Sequence, residues 1–413
     1  MDVLVLNARL RQALVTVRSL GRRGLAVAAA DSVPGVPTFR SRWCRRHFVC
    51  PSAPETPGTV EHLEELLEVT RARILIPGHD GTIALLRQYR SRLEARTRLA
   101  VASEPAMAIA TNKNRTLAIA CRLGIAVPRS ASLRSTSDVP AALSEIGLPA
   151  VVKPTESWVS DGRMGKRMGA QLVTTPEEAN RAVSEIERLG GVVLFQTLLS
   201  GRREAVSLFY ANDRIHALFA QWAKRMNPPL GGESVLRQGI AVPEDIGGQA
   251  ERLVREIGLE GYSEVEFRRD AAGMPHLMEI NPRLSASVEI AVRSGVDFPY
   301  LLYQWASGVP IDRVAGYRAG RWMRYLQGDV TTTILSLEQR GRPGVPSPMR
   351  AVFDFTASFF RPMRYDYVDW SDPGPAVKAM SDLARELSAS AGRVVWRSLR
   401  GLVKRLGWGM RAA

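Results

Sequence analysis

The chain has 413 residues, of which 45% are hydrophobic and 23% charged, the composition of a folded protein with room for two or three domains. Its formal net charge of +15 and pI of about 10.3 favour anionic partners such as nucleotides, acidic lipid surfaces or nucleic acid. Three cysteines cannot build a disulfide framework, and no apolar run is long enough to span a membrane, so we expect a cytoplasmic protein.

The first part of the chain alternates strand and helix patterns. Short apolar segments separated by helices favour a parallel, Rossmann-like sheet. The turn after the first predicted strand, Asn7–Arg11, lacks the pattern G-x-G-x-x-G, so we do not expect a dinucleotide site there. The predicted elements are Val3–Leu6, Arg11–Leu20, Leu25–Ala30, Val60–Thr70 and Ile74–Pro77.

Two lysines and a glycine-rich loop follow. Lys113 lies in a predicted helix, Met107–Leu123, and Lys153 ends a predicted apolar strand, Ala150–Pro154. A lysine at the end of a buried strand needs an anionic partner or a route to solvent. Residues 160–169 combine cationic side chains with glycines, whose backbone N–H groups can approach phosphate oxygens. The glycines of this loop are Gly162, Gly165 and Gly169.

A predicted β-hairpin, Ser263–Arg283, carries the most informative pattern of the chain. With a loop at Ala271–Met274, Glu266 lies directly opposite Glu279 on the neighbouring strand. Side chains alternate across a strand, so Asn281 shares the face of Glu279, and Glu266 can share it too. Like charges placed opposite each other destabilise a sheet, and a divalent cation would reverse that penalty.

The face of this hairpin supplies an all-oxygen ligand set. The carboxylates of Glu266 and Glu279 and the amide of Asn281 suit Mg²⁺ or Mn²⁺, with water and phosphate completing the coordination. Arg283 would project beside the metal, where a transferring phosphoryl group could sit. For an E-x-N pattern alone, the alternative is an ordinary surface hairpin with a solvated acidic face. The opposing glutamate, the adjoining arginine and the upstream motifs favour the metal site.

The order of these motifs resembles the ATP-grasp superfamily. The match covers residues 104–308, and the closest similarity is to the carbamoyl-phosphate-synthase-like branch of the carboxylate–amine ligases. The phrases Met278–Arg283 (MEINPR) and Gly295–Pro299 (GVDFP) are typical of that branch. The resemblance implies an α/β and α+β architecture with a Rossmann-like domain, an ATP-grasp fold whose two α+β subdomains grip ATP, and a C-terminal extension.

The expected organisation has four parts. They are a Rossmann-like pre-ATP-grasp domain (1–104), an ATP-grasp domain (105–310) with its lid subdomain at about 125–195, an extension (311–390) and a basic amphipathic tail (391–413). Within the tail, Arg393–Arg411 carries six basic residues and no acidic ones, with apolar residues at helical spacing. This pattern predicts a helix on an anionic membrane surface. Docking on the protein's own body or on a second subunit is an equal alternative.

The resemblance also assigns roles to single residues. It implies that Lys113 and Lys153 hold the ATP phosphates and that residues 160–169 form a flexible lid. Glu266, Glu279 and Asn281 match the Mg²⁺ ligands, and Arg283 and Lys153 are the expected catalytic residues. The family usually carries an acidic residue where Gln196 or Thr197 stands, so this chain departs from the pattern there. Contacts with adenine and ribose are expected from Gln196, Leu198, Leu199 and Glu204.

The activity implied is an ATP-dependent ligation that joins a carboxylate to an amine and releases ADP. The carboxylate attacks the γ-phosphate, and the amine then attacks the acyl phosphate, so no residue need be a covalent nucleophile. The substrates, either small molecules or peptide- or glycan-linked, stay unidentified. Arg225 and Arg237 could hold a carboxylate, but a surface loop with salt-bridged arginines is equally expected. Arg324 and Asp329 are further candidates for closing the pocket.

A second class of function stays open. The chain could be a non-catalytic nucleotide-binding protein that its basic tail recruits to an anionic membrane surface, at the inner face of the membrane. Nucleic-acid binding would rest on charge alone, since no recognised fold for it is present, and we do not expect it. The sequence leaves the oligomeric state open, a homodimer included.

Overall fold

The computed structural model describes residues 1–51, 58–161, 165–229 and 231–388. Their strands form three larger sheets and one two-stranded hairpin. Each large sheet contributes residues to one common cleft, described in the next subsection.

The N-terminal sheet is parallel and has the strand order β3-β2-β1-β4-β5. Its central strands are continuous apolar runs because helices cover both faces. The Rossmann-like prediction is confirmed. The elements are β1 (Val3–Leu6), α1 (Arg11–Gly21), β2 (Val27–Asp31), a 3₁₀ turn (Pro37–Arg40), β3 (Arg46–Val49), α2 (Val60–Thr70), β4 (Ile74–Ile76), α3 (Asp80–Gln88), α4 (Arg90–Glu94) and β5 (Arg98–Leu99).

The second sheet is antiparallel, with the order β10-β7-β11-β6. Helices α7 and α8 cover one face and bury Val152 and Phe195, while Lys153 lies on the opposite face, towards the cleft. The elements are α5 (Glu104–Ala110), α6 (Lys113–Arg122), β6 (Ser130–Leu133), a 3₁₀ turn (Thr136–Asp138), α7 (Val139–Ile146), β7 (Ala150–Pro154), β8 (Trp158–Ser160), β9 (Gly165–Arg167), β10 (Gln171–Val173), α8 (Pro176–Glu187) and β11 (Val193–Thr197).

Two predictions in this region were wrong in detail. The single helix expected over Met107–Leu123 is two helices, because the side chain of Asn112 accepts a hydrogen bond from the Arg115 backbone N–H and so starts α6 anew. The glycine-rich segment 160–169 is not only a loop. Its described residues include β9, which pairs with β8 as a short antiparallel hairpin.

The third sheet has seven strands in the order β16-β15-β12-β13-β14-β17-β18. Its first five strands come from the middle of the chain and its last two from the C-terminal extension. The elements are β12 (Arg203–Ala211), β13 (Arg214–Asn227), β14 (Glu233–Ile240), α9 (Glu244–Ile257), β15 (Gly261–Arg269), β16 (Pro275–Asn281), α10 (Glu289–Ser294), α11 (Phe298–Ser307), β17 (Trp322–Arg324), α12 (Leu326–Glu338), α13 (Pro348–Ala357), a 3₁₀ turn (Ser358–Phe360) and β18 (Arg364–Tyr365), and residues 374–388 are helical.

The β15–β16 hairpin has the predicted register at its functional end, where Glu266 pairs with Glu279. Its loop is one residue longer than predicted, and the register shifts between Glu266 and Phe267, which leaves Met278 as the extra residue on β16. The bulge therefore compensates for the longer loop and keeps the two carboxylates opposite each other.

Buried ion pairs connect the extension to the rest of the chain. Asp366, after β18, accepts hydrogen bonds from Arg11 of α1 and Arg237 of β14, and Asp372 accepts one from Arg18. Arg237 is therefore not available to bind a substrate carboxylate, which was one of the two alternatives from the sequence. Its guanidinium is fully buried against Asp366.

Three other candidates for the pocket are also structural. Both oxygens of Asp329 accept hydrogen bonds from Arg225, at 2.6 Å each, and Arg324 donates to the same carboxylate at 2.6 Å. Arg324 and Asp329 have no exposed surface, so this cluster fixes α12 against the sheet and does not close the cleft.

The predicted membrane-binding helix, Arg393–Arg411, lies outside the described residues. Within the described ranges, no helix combines the length and the apolarity that crossing a bilayer requires.

Candidate active site

A cleft of about 520 Å³ lies where the three large sheets meet. The N-terminal sheet contributes the β1–α1 and β4–α3 turns, the second sheet contributes β7, and the third contributes the β15–β16 hairpin. The β1–α1 and β4–α3 turns lie at the carboxyl edge of the parallel sheet, where α/β folds usually place their ligands.

The two predicted phosphate-binding lysines line this cleft together. The Lys113 ammonium lies 3.5 Å from Glu279 Oε2 and donates a hydrogen bond to Ser157 Oγ at 3.0 Å. The Lys153 ammonium donates to the backbone oxygen of Met278, the bulge residue, at 3.3 Å. The bulge thus has two consequences: it aligns the carboxylates, and it turns a carbonyl towards a buried lysine.

Glu266 and Glu279 have different electrostatic surroundings. Burial raises the pKa of Glu266, and Arg203 only partly offsets this effect. For Glu279, burial would also raise the pKa, but Lys113, Lys153 and Arg203 outweigh it and lower the pKa. Burial lowers the pKa of Lys153 to about 8, although Glu279 counteracts it.

The residues of the hairpin fit a divalent cation. One buried carboxylate, one partly buried carboxylate and one amide oxygen lie on a single face of the two-stranded hairpin, and these are the hard donors that Mg²⁺ prefers. Each of these carboxylates is neutralised by a cationic side chain. Lys113 faces Glu279, and the Arg203 Nε–H donates to Glu266 Oε2 at 2.9 Å. Asn281 Nδ2 donates to the other oxygen of Glu266 at 3.0 Å.

Arg283 is held by a residue of the N-terminal domain. Its Nε–H donates to Asp80 Oδ1 at 2.5 Å and its Nη2 to Oδ2 at 3.1 Å. The Nε–H of Arg167, on β9, donates to the same Oδ2 at 3.0 Å. Burial would raise the pKa of Asp80, but the two arginines overcome this and hold its pKa well below the usual range. Asp80 thus joins the glycine-rich hairpin to the arginine beside the predicted metal ligands.

Most residues predicted for the site meet in this cleft. They are Lys113, Lys153, Gly169, Leu198, Leu199, Glu266, Glu279, Asn281 and Arg283. The functional roles given to them above stay predictions, but their convergence from segments that lie far apart along the chain is what those roles require.

Three predicted residues are placed differently. Glu204 faces away from the cleft, because Glu204 pairs with Phe267 while the neighbouring Ala205 pairs with Glu266; its carboxylate accepts a hydrogen bond from Arg269 at 2.7 Å. A ribose contact from Glu204 is therefore not supported by this arrangement.

Gln196 and Gly165 also lie off the cleft surface. Gln196 is fully buried inside β11, and neither polar atom of its amide has a hydrogen-bond partner among the described residues. A Cβ on Gly165 would lie 2.1 Å from Trp158 Cζ2, so this glycine is needed for packing against the indole. Gly162 lies outside the described residues.

Several residues in or beside the cleft were missed from the sequence. Asp80 follows the predicted strand at Ile74–Pro77, and its position at the carboxyl end of a parallel strand could have identified it. Arg203 and Glu264 have no such signal, because their roles depend on pairing across strands distant in sequence. The far wall includes two aromatic residues, Tyr325 and Tyr367, brought by the extension.

Comparisons with known proteins agree with this architecture. A family model described as ATP-grasp in the biosynthetic pathway with Ter operon matches residues 231–328, which include the hairpin. A D-alanine–D-alanine ligase of Chromohalobacter salexigens is 26% identical over 216 residues, which is 48% of this chain and 64% of that relative. A D-alanine–D-alanine ligase of Pseudomonas putida strain GB-1 is 28% identical over 211 residues, again 48% and 64%. The chain thus spans less than two thirds of the length of these relatives.

Solved structures share the fold at low sequence identity. N5-carboxyaminoimidazole synthetase from Staphylococcus aureus superposes with a TM-score of 0.61 at 14% identity, covering 83% of this chain and 86% of that one. An L-amino acid ligase from Bacillus licheniformis gives a TM-score of 0.56 at 19% identity, covering 74% of each chain. The fold of the chain is therefore that of these solved structures, and residues 231–328 within it match an ATP-grasp family model.

Proposed function

We propose that this protein is an ATP-dependent ligase that joins a carboxylate to an amine through an acyl phosphate. One observation carries the proposal: Glu266 and Glu279 are cross-strand partners on the cleft, and the Lys113 ammonium lies 3.5 Å from Glu279. Cations that bind phosphate and oxygen ligands that bind a metal therefore occupy one site. The D-alanine–D-alanine ligases among the relatives support a reaction of this class.

ATP would bind with its phosphates between the lysines and the hairpin. Lys113 and Lys153 neutralise phosphate oxygens, and the backbone at Leu198 and Leu199 lines the wall assigned to adenine. Glu266, Glu279 and Asn281 would hold Mg²⁺, which when bound supplies charge neutralisation at the phosphoryl oxygens.

The transfer itself needs alignment more than a protein nucleophile. A carboxylate oxygen attacks the γ-phosphate in line, ADP leaves, and the amine then displaces phosphate from the acyl phosphate. Arg283, fixed by its two hydrogen bonds to Asp80, is placed to stabilise the transferring phosphoryl group and the oxyanion of the second step. Closure of the β8–β9 hairpin would keep water away from the acyl phosphate.

A pool screen tests this function. Purified protein, ATP and Mg²⁺ are incubated with pools of D- and L-amino acids and of dicarboxylic acids, and mass spectrometry follows ADP and condensation products. Hydroxylamine in a parallel reaction traps an acyl phosphate as a hydroxamate. We expect carboxylate-dependent ADP release and a hydroxamate.

Two variants sharpen the screen. Glu279→Ala should abolish turnover because it removes a proposed metal ligand, whereas Glu338→Ala, an exposed carboxylate on α12, should not change it. A non-catalytic nucleotide-binding protein recruited to membranes would show no turnover in either protein. Its binding to anionic vesicles would also be the same in both, and the absence of turnover in the wild type would contradict the ligase proposal.

A further inference from the structure

A buried polar network lies beside the proposed metal ligands. Its centre is Glu264, two residues before Glu266 on β15 and only 4% exposed. Glu264 Oε2 accepts hydrogen bonds from Gln221 Nε2 at 2.9 Å, from Ser207 Oγ at 3.3 Å and from Ser287 Oγ at 3.4 Å. Glu264 and Ser287 both line the cleft, so the network is part of its wall.

Glu264 differs from the other acidic residues of the cleft. Glu233 pairs with Arg11 at 2.6 Å, Glu266 pairs with Arg203, and Glu279 lies 3.5 Å from Lys113. Glu264 forms no ion pair with any described residue, and its only hydrogen-bond donors are neutral side chains. Arg203 and Arg283 interact with the charge of Glu264 only from beyond ion-pair distance. A buried carboxylate without a cation in contact is costly, so the charge of Glu264 has a use that the free protein does not show.

The network also contains more acceptors than donors. All three donors to Glu264 use Oε2, and the neighbouring Gln221 Oε1 is buried with no partner among the described residues. Ser287 Oγ already accepts from Gln221 at 2.6 Å. A ligand that completes such a network must bring N–H donors and positive charge. A primary ammonium group has both.

The position of Glu264 fits the amine side of the reaction. Glu264 pairs with Asn281 in the hairpin and points to the same face as Glu266, one pleat along the strand and so about 7 Å away. It lies between the proposed metal ligands and the serines that follow Arg283. A group bound there is next to the place where an acyl phosphate would form.

Resting on the ligase function proposed above, we propose that Glu264 binds the ammonium group of the amine substrate, and that the substrate class is therefore a primary amine that carries a positive charge when it binds. The bound ammonium loses one proton to solvent before its nitrogen attacks the acyl carbon, and a second proton leaves that nitrogen with the departing phosphate, which yields the amide. Ser207, Ser287 and Gln221 act as positioning residues, since they hold the carboxylate by its other oxygen. Because cationic side chains surround the cleft, a carboxylate without an ion pair selects the amine substrate and not the carboxylate substrate.

The test compares a charged nucleophile with a neutral one. In Glu264→Gln, the KM for the amine that forms a product in the pool screen should rise about ten- to a hundredfold, as expected when a charged hydrogen bond is lost. The rate of hydroxamate formation with hydroxylamine, which is uncharged at neutral pH, should stay within about twofold of wild type, because that nucleophile needs no anionic partner. The KM for ATP and for the carboxylate should not change.

The matched control is Glu289→Gln, because Glu289 is also 4% exposed but lies off the cleft and pairs with Arg293. It should leave both nucleophiles unaffected. An equal loss with both nucleophiles in Glu264→Gln, an unchanged amine KM, or a raised KM for the carboxylate would overturn the proposal. If Glu264→Gln does not fold, Glu264→Asp serves, with a smaller rise in amine KM and an unchanged hydroxamate rate. Wild-type protein that forms no hydroxamate would instead contradict the ligase function itself.

Discussion

At the scale of single residues, the cleft contains buried charged groups whose pKa values depend strongly on the charges beside them. Lys153 is the clearest case, because burial lowers its pKa to about 8 while Glu279 keeps the charged form accessible. A phosphate bound beside the ammonium would favour that charged form further. The charge state of this lysine should therefore be visible both in ATP binding and in stability.

Raising the pH through about 8 should weaken ATP binding, because Lys153 loses its proton in the free protein. Binding measured by calorimetry between pH 7 and 9.5 should show this loss in the wild type and not in Lys153→Arg, whose guanidinium stays charged.

The stability of the folded protein should change with pH in the opposite sense to its affinity for ATP. An unfolded lysine titrates at about 10.4, so from about pH 8 to 10.4 the unfolded chain binds more protons and this group's contribution to the unfolding free energy rises with pH. An identical pH dependence of ATP binding and of stability in the wild type and Lys153→Arg would contradict the assignment of these effects to Lys153.

If Glu266 is a metal ligand as proposed, Arg203 should compete with the metal for it. Arg203→Met leaves that buried carboxylate without its guanidinium and should lower the free energy of unfolding by ~3 kcal/mol. Added Mn²⁺ should restore much of this loss, since the cation can replace the guanidinium, and denaturant unfolding with and without Mn²⁺ measures the effect. Arg202→Met is the control, because Arg202 pairs with Glu204, which faces away from the cleft. Equal stabilisation of the wild type and Arg203→Met by Mn²⁺ would argue against Glu266 as a ligand.

At the scale of elements, the hairpin register could be predicted and its bulge could not. Alternation and the loop position were enough to place Glu266 opposite Glu279. The bulge at Met278 turns a carbonyl towards Lys153 on another sheet, a contact that no local pattern indicates. The break between α5 and α6 was also missed, although Asn112 is a strong helix-capping residue. Local patterns thus predicted the type of most elements, with β9 as an exception, and tertiary contacts decided their details.

The β8–β9 hairpin should be held closed by Asp80. Asp80→Asn weakens its ion pairs to both Arg167 and Arg283, whereas Arg167→Ala removes only the contact with the hairpin. Hydrogen exchange over β8 and β9 should therefore speed up in both variants. Only Asp80→Asn should strongly reduce kcat, because only that change frees Arg283. A similar kcat loss in Arg167→Ala would show that the hairpin contact itself, and not the position of Arg283, limits the reaction.

At the scale of the whole molecule, the class of fold was predictable and the role of the C-terminal extension was not. Three motifs in the right order identified an ATP-grasp fold, whose segments do converge on one cleft. The extension has no comparable pattern, yet it adds β17 and β18 to the large sheet and buries Asp366 against Arg11 and Arg237. Ion pairs that join residues more than a hundred positions apart leave no local trace in a sequence. We propose to keep the four-part division of the chain as its working domain scheme.

Asp366 should be a main anchor of the extension. Burial would raise its pKa, but Arg237 and Arg11 outweigh burial and lower it, so its contribution to stability is present near neutral pH and is lost as the pH falls through the lowered folded-state pKa. Asp366→Asn should lower the free energy of unfolding at pH 7 by ~3 kcal/mol, since two buried guanidinium groups lose a charged partner. Glu94→Gln, which affects an exposed pair with Arg90, should remain close to wild type. Equal unfolding midpoints for the two variants would count against this anchoring role.

Transfer of an oxygen atom tests the central claim most directly. The carboxylate substrate found in the pool screen is labelled with heavy oxygen, and the phosphate released with ADP is analysed by mass spectrometry. Attack of the carboxylate on the γ-phosphate predicts that each phosphate carries one labelled oxygen from the substrate. ATP turnover that releases only unlabelled phosphate would contradict an acyl-phosphate route.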